Sequence, residues 1–282
     1  MKNLVIDRNE FVASSDWSIS NALHMMKLSY AVYSGTTDNV GRKEDWSITE
    51  NLVRGAGYDI YKIEARKGIY EPNAMVCTDE NNVFLIFRGT EPTAWKQWAT
   101  DADTVKTPFC IGKAHRGFLS AVDLIWPEIV SRLQNADPDR HKPLFVGGHS
   151  LGAGMSQVAS AKLAFEEMNL LPEAVYNFGC PRALNFDGAD LYNERLYSRT
   201  YRVVNNNDVV CNIPLKTMGF SHVGQLKYLT SDGRLLDEPS AVQIKKEGVL
   251  GGIRALVDLN PVDFATDHLP HHYTKRLGAL RD

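Results

Sequence analysis

Apolar positions Ile19, Leu23, Met26, Tyr30 and Tyr33 recur at helical spacing, with Ser18 or Ser20 as cap and Gly35 as stop. The stretches Tyr58–Ile63, Ala74–Cys77 and Val83–Arg88 are rich in β-branched and aromatic residues and predict strands. Asp79–Asn82 is a polar turn, so the last two should pair as a hairpin. Phe118, Val122, Ile125, Ile129 and Leu133 follow a second helix over 117–133. Pro127 should kink it or start a new one. A loop at Asp137-Pro138-Asp139 precedes a short strand, Leu144–Val146, and a helix over Leu151–Met168. Strands at Ala174–Asn177 and Thr200–Val204 flank a helix around Ala189–Leu196. Gln225–Thr230 and Arg234–Leu236 lie either side of a Ser231-Asp232-Gly233 turn, and a last helix starts at Leu269 or Pro270 and ends near Leu280. Strand and helix patterns alternate without repeat or linker, so a single α/β domain over 1–282 is the economical reading.

Composition narrows the function classes. A net charge of −3 gives no general attraction to nucleic acid, and no window approaches the ~18 apolar residues of a membrane span. The opening MKNLVIDRNEFVASSDW is interrupted by Asp7, Arg8 and Glu10 and lacks the apolar core of a signal peptide. The expectation is a cytoplasmic protein, or one exported by a route without such a peptide. Cys77, Cys110, Cys180 and Cys211 have no zinc spacing and are expected as buried free thiols.

The stretch Phe145–Gly154, FVGGHSLGAG, follows the apolar run and opens a helix. It fits neither phosphate cradle. Ala153 stands where a P-loop needs lysine, and Gln157 where a dinucleotide fingerprint needs its last glycine. Gly148-His149-Ser150-Leu151-Gly152 is instead G-x-S-x-G between strand and helix, the sequence of a nucleophile elbow. Ser150 would sit on a strained turn, with Gly148 and Gly152 relieving crowding and the helix N-terminus favouring a developing negative charge. Gly154 and Ala153 would let the helix start close against the sheet.

A serine hydroxyl needs a base, and the base an orienting acid. Downstream, Thr200–Val204 ends in Asn205-Asn206-Asn207-Asp208, placing Asp208 just past a strand's C-terminal end. Of the eight histidines, chain order leaves His222, His268, His271 and His272. The last two fall inside the final helix and read as exposed side chains. A metal role for that cluster lacks an acidic partner at helical spacing. An oxyanion hole needs two aimed donors: the N–H of Leu151, and a group after an early strand, for which Thr90 beyond Arg88-Gly89 is the candidate.

Six pieces now stand in order across about residues 20–280: Phe87-Arg88-Gly89-Thr90, Ala114–Phe118, Gly148–Ala153, Asn177-Phe178-Gly179 with Pro181-Arg182, Asn207–Val210 with Pro214, and Asp267-His268 with Tyr273. Together they resemble the class 3 lipases, the fungal triacylglycerol lipases and their bacterial and plant relatives. The resemblance implies an α/β-hydrolase fold, with a mostly parallel central sheet flanked by helices. It also implies Ser150 as nucleophile, Asp208 as acid, His268 as base, and Thr90 with Leu151 as oxyanion hole. Tyr273, five residues on, selects His268 over His271 and His272. A lid would fall at 91–98, where Trp95 anchors on a lipid surface or Trp98 packs below as core. The family's fungal members are secreted and disulfide-linked; this chain shows no export signal, and Cys180 stands where a small serine is commoner.

The implied activity is cleavage of lipid carboxylic esters through an acyl-enzyme, without metal or organic cofactor. The implied partners are a lipid or small ester substrate and transient contact with a lipid surface. The polar lid leaves surface-acting lipase and soluble-ester esterase both open. A phospholipase A1 or galactolipase shares the same residues, and a non-catalytic binding module on this fold is the alternative from another class.

Overall fold

The computed structural model describes residues 4–34, 46–67, 71–89, 105–166, 170–247 and 266–281. Among them, twelve strands form two sheets. The larger runs in the order β1 (Asp59–Glu64), β2 (Asn73–Thr78), β3 (Val83–Phe87), β6 (Leu144–His149), β7 (Ala174–Phe178), β9 (Thr200–Asn205), β11 (Gln225–Leu229), β12 (Leu235–Asp237). Its five central strands, β3, β6, β7, β9 and β11, are mutually parallel, and antiparallel pairs finish each edge. Strands β3, β6 and β7 are buried at every position, as expected of parallel strands covered on both faces.

One face is covered by α3 (Arg116–Ala136) and α4 (Leu151–Phe165), and Phe118, Val122, Ile125, Val158 and Ala161 build a core there with Leu85 and Val146. The other carries α1 (Ile19–Ala31) and α6 (Pro270–Ala279), whose Leu23, Met26, Tyr273 and Leu277 pack with Phe84, Ile86 and Phe145. The expected Ser18 cap is present: its side chain accepts from the N–H of Asn21. The β2–β3 hairpin also forms, with the Asp79 carboxylate accepting from the N–H groups of Asn81 and Asn82 at 2.8 and 2.7 Å.

Several expectations are corrected. Pro127 starts no second helix; α3 continues through it for 21 residues, held by its apolar stripe against the sheet. Helix α4 stops at Phe165. Cys77, Cys180 and Cys211 are buried free thiols, but Cys110 is exposed, in the turn between β4 (Lys106–Phe109) and β5 (Gly112–His115). Those two strands join β8 (Leu184–Asn185) and β10 (Phe220–Ser221) in a small antiparallel sheet. No pattern reading anticipated it, because two-residue strands carry no periodicity. Gly154 makes room for Phe118 of α3 rather than for the sheet, since a Cβ there would lie 2.7 Å from that ring. No helix among the described residues is long and apolar enough to cross a membrane.

Candidate active site

Strand β6 ends at His149, α4 begins at Leu151, and Ser150 makes the whole turn between them with φ 61° and ψ −129°. An L-residue rarely adopts this backbone. The flanking glycines allow it by letting the helix close on the strands. A Cβ on Gly148 would sit 2.5 Å from the carbonyl of Gly152, and one on Gly152 would sit 2.3 Å from the carbonyl oxygen of Phe87. The turn thus ties the nucleophile strand to the end of β3. The N–H of Leu151, first in the helix, has no intrahelical acceptor and lies next to the serine.

Asp208 lies three residues past β9 and His268 two residues before α6. The structure brings both to Ser150. The ionised Asp208 carboxylate can only accept, so the His268 Nδ1–H donates to its Oδ2 at 2.8 Å and Oδ1 at 3.0 Å. His268 Nε2 is then free to accept from the Ser150 hydroxyl, at 2.7 Å. All three side chains are buried. Burial alone would raise the Asp208 pKa; the adjacent His268, with hydrogen bonds from it and from Tyr273, outweighs burial and holds the carboxyl below its usual value. The Tyr273 hydroxyl donates to Asp208 Oδ2 at 2.6 Å and accepts from the Asn205 N–H at 3.1 Å. The Val210 N–H donates to Oδ1 at 2.9 Å.

The other histidines lie elsewhere or do other work. His222 hydrogen-bonds the Cys211 carbonyl at 2.8 Å, whereas the base bonded to Ser150 and Asp208 is His268. His271 and His272 sit in the first turn of α6 with their rings 4.3 Å apart. Thr90, Trp95, Trp98 and the whole 91–98 stretch lie outside the described residues.

Three features of the site had no reading from sequence beyond turn or core. The asparagines at the end of β9 hold the histidine loop: Asn205 Nδ2 donates to the Asp267 carbonyl at 2.7 Å, and Asn206 Nδ2 to the Asp267 carboxylate at 2.8 Å. Three amides in a row before the acid were the available signal. Tyr33, counted on the apolar face of α1, places its hydroxyl 2.9 Å from His149 Nδ1. His149 in turn hydrogen-bonds the backbone carbonyl of His268.

This geometry, a strained serine turn capping a parallel strand and opening a helix, sits on an α/β-hydrolase fold. The mono- and diacylglycerol lipase of Aspergillus oryzae superposes with a TM-score of 0.65 at 23% identity, over 79% of this chain and 87% of that one. A lipase from Rhizopus microsporus var. chinensis gives 0.59 at 22%, over 80% and 82%. Residues 84–218, a segment that carries Ser150 and Asp208, match the family described as Lipase (class 3). Among relatives, the secreted mono- and diacylglycerol lipase A of Penicillium cyclopium is 29% identical over 176 residues, 60% of this chain and 55% of its own length. Triacylglycerol lipase OBL1 of Arabidopsis thaliana is 27% identical over 210 residues, 57% of this chain and 40% of its own. The matched part therefore spans about half the length of these relatives, or less.

Proposed function

We propose that the chain is a serine hydrolase that cleaves carboxylic esters of lipids through an acyl-enzyme on Ser150. The observation that carries this reading is the continuous hydrogen-bonded line from the Ser150 hydroxyl through His268 to Asp208. The lipid substrate class rests on the relatives, named as mono-, di- and triacylglycerol lipases.

In this mechanism the Ser150 Oγ attacks the acyl carbon while His268 Nε2 takes its proton. Asp208 keeps the Nδ1–H tautomer in place and stabilises the imidazolium that forms. The carbonyl oxygen becomes an oxyanion beside the Leu151 N–H, at the helix end whose dipole favours it. Thr90 is assigned as the second donor from its place in the sequence after Gly89. His268 then protonates the departing alcohol. A water, deprotonated by the same nitrogen, releases the acid and restores the serine.

The test is Ser150→Ala assayed on p-nitrophenyl butyrate, tributyrin and phospholipid liposomes. Turnover of the preferred ester should fall by at least about 10³-fold. Wild-type turnover in the variant would overturn the assignment. Release of fatty acid from liposomes but not from tributyrin would replace the acylglycerol substrate with a membrane lipid.

A further inference from the structure

We infer that Tyr33 and His149 form a positioning pair that fixes the backbone of His268 and, through it, the alignment of the base with Ser150. The inference rests on the function proposed above. His149 is buried, and its two ring nitrogens are engaged in opposite directions. Nε2 lies 2.7 Å from the carbonyl oxygen of His268, which can only accept, so Nε2 carries the proton. Nδ1 is therefore an acceptor, and the Tyr33 hydroxyl, 2.9 Å away, donates to it. One tautomer satisfies both bonds. A ring protonated only on Nδ1 would turn an acceptor towards the carbonyl and a donor towards the tyrosine.

The contact is placed to matter. The rings of His149 and His268 lie 4.6 Å apart and tilted by 32°, so His149 backs the base directly. Tyr33 lies in the short 3₁₀ turn, Val32–Ser34, that follows α1, His149 ends β6, and His268 precedes α6, so the pair joins three elements distant in sequence. The end of β3 is packed on the same pair: a Cβ on Gly89 would lie 2.0 Å from the Tyr33 hydroxyl and 2.5 Å from the His149 carbonyl. Burial, and then the neighbouring His268, depress the His149 pKa to about 3, so the ring stays neutral while His268 gains and loses its proton. A neutral ring against the transient imidazolium avoids the repulsion that a second cation would bring. Sequence order excludes His149 as base; its part is to hold the base.

The experiment compares His149→Leu, His149→Gln, His149→Asn and Tyr33→Phe by kcat and KM on p-nitrophenyl butyrate, with ¹⁵N NMR of histidine-labelled wild type and Tyr33→Phe. Losing the bond to the His268 carbonyl should lower kcat by roughly 10–100-fold in His149→Leu with KM little changed, the effect of a small misplacement of a catalytic group. Gln, whose amide nitrogen falls near the Nε2 position, should recover most of kcat, and Asn, which is too short, should not. The spectra should show His149 as the neutral Nε2–H tautomer in wild type, and Tyr33→Phe should keep that tautomer with its Nδ1 resonance shifted by loss of the tyrosine's hydrogen bond. Full kcat in His149→Leu, equal kcat in the Gln and Asn variants, or an Nδ1–H tautomer in wild type would each overturn the pair. Should His149→Leu not fold, the Gln–Asn contrast and the spectra decide. An inactive Ser150→Ala beside an unimpaired His149→Leu would reject the positioning pair alone. An active Ser150→Ala would reject the function, and the tautomer measurement would still stand.

Discussion

The backbone of Ser150 is the most strained feature the site requires, and its cost can be isolated. With φ 61° and ψ −129° the residue occupies a region that glycine adopts freely. For a residue with a Cβ such a conformation costs about 1–3 kcal/mol. Ser150→Ala and Ser150→Gly both lack the hydroxyl and differ only in the Cβ methyl. At an ordinary buried helical position the same Ala-to-Gly change is unfavourable: about 1 kcal/mol for backbone entropy and about 0.8 kcal/mol for the lost methyl. Ala161, fully buried in the middle of α4, supplies that reference as Ala161→Gly. The entropy and burial contributions are common to both sites, so their difference reports the strain. We expect the glycine at 150 to be about 1–3 kcal/mol less unfavourable, relative to alanine, than the glycine at 161. The net change at 150 should therefore lie near zero or favour glycine. Equilibrium unfolding in urea of wild type and the three variants measures this directly. Equal Ala-to-Gly penalties at the two positions would refute the argument that the turn stores strain.

Three further outcomes follow from the same geometry. Gly152→Ala places a methyl 2.3 Å from a backbone oxygen that cannot step aside, so it should cost about 1–3 kcal/mol or more in urea and lower kcat by moving the end of β3. Tyr273→Phe removes a hydrogen bond that stabilises the Asp208 carboxylate, which should cost about 1.5–3 kcal/mol near neutral pH. Asp208 is depressed in the fold, so its contribution is present above the unfolded value near pH 4 and lost as pH falls through the folded one; unfolding at pH 7 and pH 3 should show the gap to wild type narrowing in acid. His149 and His24 are neutral in the fold, depressed from 6.5 to about 3 and about 4. Below 6.5 the unfolded chain takes up protons the native state refuses, so stability should fall with acid by about 2 kcal/mol per histidine at pH 5. His149→Gln should flatten that slope in a pH series of urea midpoints, and an unchanged slope would contradict it.

What could be read from the chain, and what could not, divides by the range of the interactions. Parallel strands buried on both faces announce themselves as runs such as Val83–Phe87, and the glycine spacing around Ser150 is local, so both were legible. The small sheet was not, because β8 and β10 are two residues each and owe their conformation to pairing with one another. Pro127 carries a strong local signal for a break, yet the apolar stripe of α3 packs on both sides of it and continues the helix. At the site, Asn205 and Asn206 have the composition of a turn, and nothing within ten residues tells that their amides reach Asp267. Tyr33 has the spacing of a core residue and is one; its hydroxyl, aimed at His149, adds a second task that periodicity does not encode.

The hydrogen-bonded residues of the site are held by the same contacts that hold the fold. Helix α6 is anchored by Tyr273 and Leu277, both fully buried against the α1 side of the sheet. The Tyr273 ring supplies apolar area there while its hydroxyl bridges the Asp208 carboxylate and the β9 backbone. The loop before α6 is pinned from three sides: by Asn205 and Asn206 at the end of β9, by His149 at the end of β6, and by Arg276 on α6 itself, 3.3 Å from Asp267. His268 lies in this loop, so its ring depends on the packing of α6 on α1 as well as on Asp208. Substitutions at the α1–α6 contact, distant from Ser150 in sequence and in chemistry, should therefore lower kcat before they unfold the chain, because the loop loses its register while the parallel strands keep theirs.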